Sequence, residues 1–517
     1  MRKSKLSLLI VVVSLLFAGC DSNLMQVEPT NEVTLDEKSS ISQFELMEFQ
    51  EMTDFSNLRQ GDFTGRFLII SSGQNLPNNL ESSIKSAGGE IVKTFPQIGV
   101  AVAVGHSADF LANARRIGGL EAVTPDIILQ YTTEPENMGA DLVAETSNAG
   151  ANAIGTPFNY QDAFFDGFQW APASINGPAA WDGGFTGEGV RVAVIDGGFH
   201  SVHQDLAPNL DIPSSFSTVP GFNFNEDTGT FWHGTHVAGI VAAAGLGVVG
   251  IAPEATIIGV KSLHNGSGAF EWILEGILRA ATPQSEGGAG AQIINMSLGA
   301  TIDYRNNWQD KEFRDLFRDL QKTYDRATRY ANQNGVTVIA SAGNGATNYD
   351  VSKELYKIPA QNQHVLSISS TGPTGWLLGN TNFSQPSYFT DHGKSLIDFA
   401  GPGGSAGLLV IDGFGGNCTL NGTFVSLTRP CWAFDMVFST IRGTTNGSYG
   451  WAQGTSMSAP AAAGVAALII QANGGQATPA QVRSRMLQSA SDLGTPGQDE
   501  FYGFGYINAA RAAGLNE

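Results

Sequence analysis

Hydrophobic positions along the chain change their spacing several times, and each change marks an element. Between residues 66 and 129 four apolar runs of strand length (66–70, 90–95, 99–104 and 120–129) are separated by two stretches of helical periodicity (76–87 and about 107–117). The order is β-α-β-β-α-β, with a hairpin joining the two middle strands. Beyond residue 165 apolar strand runs at 189–195, 256–260, 292–296, 336–340 and 365–369 alternate with helical stretches at 232–244, 270–281 and 315–334. Such alternation predicts an α/β fold in which a parallel β-sheet is flanked by helices on both faces.

The first unit, residues 65–131, is then a small α+β domain of ferredoxin-like arrangement, which on pattern alone fits any small interaction domain. Residues 21–64 are polar and acidic and read as a tether. Residues 132–164 are rich in Asn, Ala, Gly, Thr and Glu without periodicity and read as an exposed, cleavable connector to a large domain at 165–517. With 517 residues, 42% of them hydrophobic, the chain can bury a large core without a disulfide scaffold. Its 48 acidic against 28 basic residues leave a formal charge of −20, which repels phosphate backbones and argues against a nucleic-acid partner.

At the N-terminus Arg2, Lys3 and Lys5 precede an apolar run at 6–17 that is short for a membrane span, the pattern of an export signal. The run ends in Phe17-Ala18-Gly19-Cys20, which resembles the lipobox of bacterial lipoproteins, with Phe17 standing where Leu, Val or Ile is usual. That resemblance implies lipidation of Cys20 and a membrane-anchored precursor exported from a bacterial cell; ordinary signal-peptidase cleavage nearby is the alternative. With Cys20 lipidated, Cys418 and Cys431 are the one pair left, and an oxidising compartment predicts a disulfide between them.

Candidate chemistry concentrates at four points. The apolar strand at 192–195 leads into Asp196, a carboxylate at the strand end where open α/β sheets place functional groups, although a lone Asp there is as readily a turn cap. His233-Gly-Thr-His236 opens a helix, whose positive end keeps an imidazole unprotonated near neutral pH. His236 competes with His233 for the role, and no Glu-x-x-His pattern or clustered cysteines accompany the two to suggest a metal site. Gly454-Thr-Ser456-Met-Ser-Ala-Pro460 puts Ser456 at a helix start among oriented N–H groups, where a serine is otherwise a common cap. Asn344, in Ser341-Ala-Gly-Asn344, offers a side-chain amide just past the strand at 336–340. Together these supply the nucleophile, base, orienting carboxylate and oxyanion donors that acyl transfer from an amide needs. Ser458 occupies the place of the second glycine in Gly-x-Ser-x-Gly, which argues against an esterase of that type.

The Asp196, His233-Gly-Thr-His236 and Gly454-to-Pro460 segments resemble the three signature motifs of the subtilisin-like serine proteases, in the Asp, His, Ser order of that family. The resemblance extends from Gln169 to Ala510, and residues 66–131 resemble the family's inhibitory prodomain. It implies a serine endopeptidase made as a self-processing precursor, in which Ser456 attacks, His233 shuttles the proton, Asp196 orients His233 and Asn344 stabilises the oxyanion. It also implies protein or peptide substrates, no cofactor, a monomer, a prodomain acting as intramolecular inhibitor, and processing between residues 132 and 170 that releases a soluble protease from the lipid anchor.

Ser297, Leu298 and Gly299 match the family's substrate-binding strand, where a peptide adds as an extended strand. With Ser341, Ala342 and Gly343 as the facing wall, the small residues leave room for a sizeable apolar side chain before the scissile bond. Asp205 matches a position that ligates calcium in some members, but the loop 244–250 is short and lacks the expected asparagine, which speaks against structural calcium there. A charged insertion at 300–322 and another at about 404–436, holding Cys418 and Cys431, are expected to border the cleft. Gly245-Leu-Gly-Val-Val-Gly250 has the spacing of a dinucleotide loop but follows a helix instead of a first strand, which rejects that reading.

Overall fold

The computed structural model describes residues 32–33, 62–132, 165–228, 232–304, 311–413, 416–421, 426–443 and 445–516. The expectations for residues 1–20, Cys20 included, and for nearly all of the tether and connector lie outside these residues. Within the tether, Glu32–Val33 runs as a two-residue strand parallel to Thr301 and Ile302.

The large domain is built on a seven-stranded sheet in the order Phe399–Pro402, Val365–Thr371, Thr337–Ser341, Ile293–Met296, Arg191–Asp196, Thr256–Lys261 and Phe216–Ser217. Every neighbouring pair is parallel. Successive side chains of a strand point to opposite faces. In Arg191–Asp196, Val192 and Val194 accordingly pack into one core with the helices His233–Ala242 and Thr455–Ala472. Ala193 and Ile195 pack into the other with Phe270–Ala281 and Lys311–Gln333. Thr455–Ala472 is apolar enough to cross a membrane by composition, but 83% of it is buried inside the protein, so its hydrophobicity serves the core. Small residues let it settle close: a side-chain carbon on Gly464 would lie 2.5 Å from Ile251 Cβ.

The N-terminal unit has the predicted order of elements. Its strands Phe63–Ser71, Gly89–Phe95, Val100–Gly105 and Leu120–Gln130 pair antiparallel, the first lying between the third and the fourth. Both helices are shorter than their periodicity suggested, Leu80–Ser86 and Phe110–Ala114, and cover one face through Leu80, Ile84 and Phe110. The opposite face, with Leu68, Val102 and Leu129, joins the core that holds Phe270, Ile273 and Ile277 of the large domain. Leu120–Gln130 also pairs with Ser267–Ala269, so the large domain supplies a fifth strand to this sheet.

The two segments read as insertions are built differently. In the first, Ala300–Asp303 pairs antiparallel with Leu355–Ile358, and residues 311–322 form the first half of the long helix Lys311–Gln333. The second insertion holds the short helix Gly407–Asp412, the hairpin of Asn417–Asn421 with Ser426–Pro430, and the turn of helix Cys431–Phe434. Cys418 and Cys431 are disulfide-bonded across 13 residues. A loop of that size constrains the unfolded chain by roughly 3 kcal/mol. Replacing both cysteines with serine is therefore expected to lower the unfolding free energy by about that amount, which denaturant melts with and without reductant will read.

Candidate active site

Asp196 ends its strand almost wholly buried, so the sheet itself fixes the carboxylate. Gly197 donates its N–H to Oδ1 at 2.7 Å. His233 occupies the first turn of His233–Ala242, and its Nδ1 lies 2.9 Å from Oδ1 and 2.8 Å from Oδ2 of Asp196. An ionised carboxylate accepts and never donates, so Nδ1 carries the proton and Nε2 is left as the base. The approach requires a glycine at 234, where a side-chain carbon would lie 2.6 Å from the Gly198 carbonyl and 3.0 Å from Asp196 Cβ. Trp232, before the helix, holds a φ of 51°, a sparsely populated conformation for a bulky residue and common beside functional sites.

Burial sets the two histidines apart. His236 is fully buried, and its Nε2 lies 3.2 Å from the carbonyls of both Val437 and Gly450. Loss of solvent pulls its pKa down to about 3. It stays neutral and ties its helix to the hairpin of Val437–Ile441 with Ser448–Ala452.

Ser456 is the second residue of Thr455–Ala472. Its Oγ donates to the Ser297 carbonyl at 3.2 Å, and Ser297 Oγ donates to the Ser456 carbonyl at 2.7 Å. Asn344 Oδ1 accepts from Thr455 N at 2.9 Å and from Thr455 Oγ1 at 3.0 Å, which fixes the amide and leaves Nδ2 as a donor. Gly454, at φ 149°, keeps a space open: a carbon built on it would lie 3.4 Å from Asn344 Nδ2 and 3.6 Å from Ser456 N. Two donors thus converge on one small space beside Ser456, the arrangement a developing oxyanion needs.

The end of Leu120–Gln130 runs between the segments 266–267 and 299. Gln130 pairs with Ser267, Tyr131 donates its N–H to the Gly266 carbonyl at 2.9 Å, and Gly299 donates to the Tyr131 carbonyl at 3.0 Å. The Tyr131 side chain is buried, its hydroxyl 3.0 Å from that of Tyr324. Hydrogen bonds on both edges of an extended segment are those of a peptide added to a sheet. Gly299 thus bonds the extended segment through its backbone, while Leu298 is turned into the core cluster that also contains Tyr131. Ala342 is buried, and Gly343 donates its N–H to Thr455 Oγ1 at 3.0 Å, tying the second wall to the Ser456 helix.

The sequence pattern that defines the subtilase family matches residues 187–505, a span that includes Asp196, His233, Asn344 and Ser456. The chain belongs to the subtilase family. It is 31% identical to subtilisin E of Bacillus subtilis over 344 residues, 66% of this chain and 70% of that one. Identity with a subtilisin of Bacillus pumilus is also 31%, over 66% of this chain and 97% of that one. With the minor extracellular protease Epr of Bacillus subtilis it shares 30% identity, and the match spans 41% of Epr's length. Among solved structures, the epidermin leader peptide processing serine protease of Staphylococcus aureus has the same fold, with a TM-score of 0.65 at 20% identity over 87% of this chain and 97% of that one.

As a subtilase the chain is a serine endopeptidase, and three of its features were not read from the sequence. The first concerns Asp205, whose carboxylate accepts from the N–H groups of Leu246 at 2.6 Å, Gly247 at 2.9 Å and Val248 at 3.2 Å and from the Tyr449 hydroxyl at 2.6 Å. Burial raises its pKa, against the pull of these donors. Four hydrogens are aimed at the carboxylate, one at Oδ1 and three at Oδ2, and they compete with any cation for its lone pairs. The second is the buried pair Lys357–Asp391, 3.4 Å apart beside Gly299 and Gly343. Its one sequence signal is a lysine inside the short strand Leu355–Ile358. The third is Glu271, fully buried in the first turn of Phe270–Ala281, which receives Arg66 Nη1 at 2.9 Å and Lys93 Nζ at 2.5 Å from the N-terminal unit.

Proposed function

We propose that this subtilase is an exported endopeptidase, made as a precursor that cuts itself, with Ser456 as nucleophile, His233 as base, Asp196 as its orienting partner and Asn344 as oxyanion donor. The observation that supports the reading best is the seating of Tyr131 between Gly266 and Gly299, as a substrate would lie, on the segment whose Ser297 carbonyl holds the Ser456 hydroxyl. In catalysis Ser456 Oγ turns from that carbonyl to His233 Nε2, which takes its proton as Oγ attacks the scissile carbonyl. The oxygen gathers charge against Asn344 Nδ2 and Ser456 N–H, while Asp196 stabilises the imidazolium. His233 returns the proton to the departing amine, and water reverses the sequence to free the acyl group. A serine-directed phosphonate is expected to label Ser456 and to lose that reaction in His233→Ala; labelling that survives the substitution would remove His233 from the role.

The N-terminal unit is read as the inhibitor. Its interface is charged: Arg66 and Lys93 meet Glu271, Lys93 also meets Glu275 at 2.7 Å, and Asp126 accepts from the Glu271 N–H at 3.1 Å and from the Thr64 hydroxyl at 3.0 Å. Burial first, and then the neighbouring Glu271 carboxylate, push Asp126 from 3.8 up to about 7. The docked unit therefore keeps a proton that the released unit gives up. Its hold is full below pH 4, falls as the pH rises, and has lost this contribution above about 7. After cleavage, the fragment's affinity for the enzyme is expected to drop from pH 4 to 7 in a calorimetric titration, and Asp126→Asn to flatten that slope. A wild-type affinity independent of pH would take Asp126 out of the account.

Export is supported by the basic-then-apolar start of the chain, and Cys20 is read as the lipid anchor of the precursor. Cleavage in the connector then separates the protease from the anchored part. The same reading gives the fold no calcium at Asp205, where Tyr449 and the 246–248 amides hold the loop.

A further inference from the structure

We propose that the buried Lys357–Asp391 pair sets which side chain this protease accepts next to the scissile bond, admitting short side chains that carry an oxygen acceptor and excluding large apolar ones. The inference rests on the assignment of Ser456 as nucleophile. Both walls of the slot beside Ser456 are tied to it: the Ser297 carbonyl takes its hydroxyl, and Gly343 N–H donates to the adjacent Thr455 at 3.0 Å. The residue attacked by Ser456 must send its side chain between them.

Lys357 stands opposite Thr301 in the pairing of Leu355–Ile358 with Ala300–Asp303, and its side chain reaches the slot from that strand. A carbon built on Gly299 would lie 3.3 Å from Lys357 Cε, and one built on Gly343 would overlap Lys357 Nζ and Asp391 Oδ2. The pair therefore abuts both walls, with side-chain exposures of 3% and 1%. The walls are small because these two charges lie against them. The proposal thus departs from the sizeable apolar side chain expected from the walls alone.

The partners of the pair indicate what it recognises. Asp391 is anchored through Oδ1 by the N–H groups of Gly345 at 2.8 Å and Thr347 at 3.0 Å. Lys357 Nζ donates to Thr301 Oγ1 at 3.1 Å and faces Asp391 Oδ2 at 3.4 Å, long for a charge-assisted bond. An ammonium has three hydrogens to give, so capacity remains for an oxygen entering between the walls. A phenyl or leucyl group would meet the same ammonium with no acceptor and strip it of polar surroundings, which is costly.

The test uses the processed enzyme and four peptides that differ only in the residue before the cleaved bond, Thr, Asn, Leu or Phe, with the cut located by mass spectrometry. Wild-type kcat/KM is expected to be at least about tenfold higher for Thr and Asn than for Leu and Phe. In the double variant Lys357→Ala with Asp391→Asn, which leaves no unpaired charge, the ratio is expected to fall by at least about tenfold toward Leu and Phe. A wild-type preference for Leu or Phe overturns the proposal even if the variant does not accumulate, and so does a variant that keeps the wild-type ratio. If no peptide is cut while the phosphonate labels Ser456, the specificity proposal fails and the active-site reading stands; if Ser456 is not labelled, both fail.

Discussion

Ser456→Ala is expected to remain full length and to lose peptidase activity by about a millionfold, because the nucleophile and its base act as one unit and removing either forfeits the whole acyl-enzyme route. Residual turnover would come from oriented binding and the oxyanion donors alone. Intact mass and N-terminal sequencing of the wild type and the variant, both lacking residues 1–20, measure the processing directly. The wild type should show a new N-terminus between residues 132 and 170 and the variant none. Two full-length proteins would mean that the chain does not cut itself, and two identical cuts would assign maturation to another protease.

The second large effect is expected at Asn344. Its Oδ1 is engaged by Thr455 N and Oγ1, so Nδ2 is aimed at the space over Gly454 before any substrate arrives. A donor prepared in this way matters only once negative charge has formed. Asn344→Ala should therefore lower kcat by about 10² to 10³ and leave KM nearly unchanged. A loss confined to KM would show Asn344 to be a binding residue. Steady-state kinetics on one peptide substrate separates the two outcomes.

The sequence made the fold and the central residues legible because both rest on local signals. Apolar strands interleaved with helices specify the parallel sheet, and Asp196, His233 and Ser456 each stand at the end of an element, where motif and geometry coincide. His233 and His236 were not separable in one dimension, since what distinguishes them is the hairpin near 437–452, some 200 residues further on. The same holds for Asp205, whose tyrosine partner lies 244 positions away. The Arg66–Glu271 contact spans 205 positions and has no periodic signature. Lys357 failed for another reason: the walls it abuts read as empty when only their own small residues are counted. The pairing of Ala300–Asp303 was hidden because its partner Leu355–Ile358 lies far ahead in the chain, and a lone strand next to charged helix residues carries no sheet signal.

The strand Ser267–Ala269, shared between the two units, has a consequence for when the enzyme works. On the proposed reading the N-terminal unit is, while the chain is whole, a tethered ligand whose effective concentration is on the order of millimolar. After the connector is cut, occupancy of the same edge follows ordinary mass action. On the proposed reading, activation is then governed by dilution: where many copies are held together the cleft stays filled, and a molecule that has diffused away from its anchored inhibitor finds its edge strand free for another peptide.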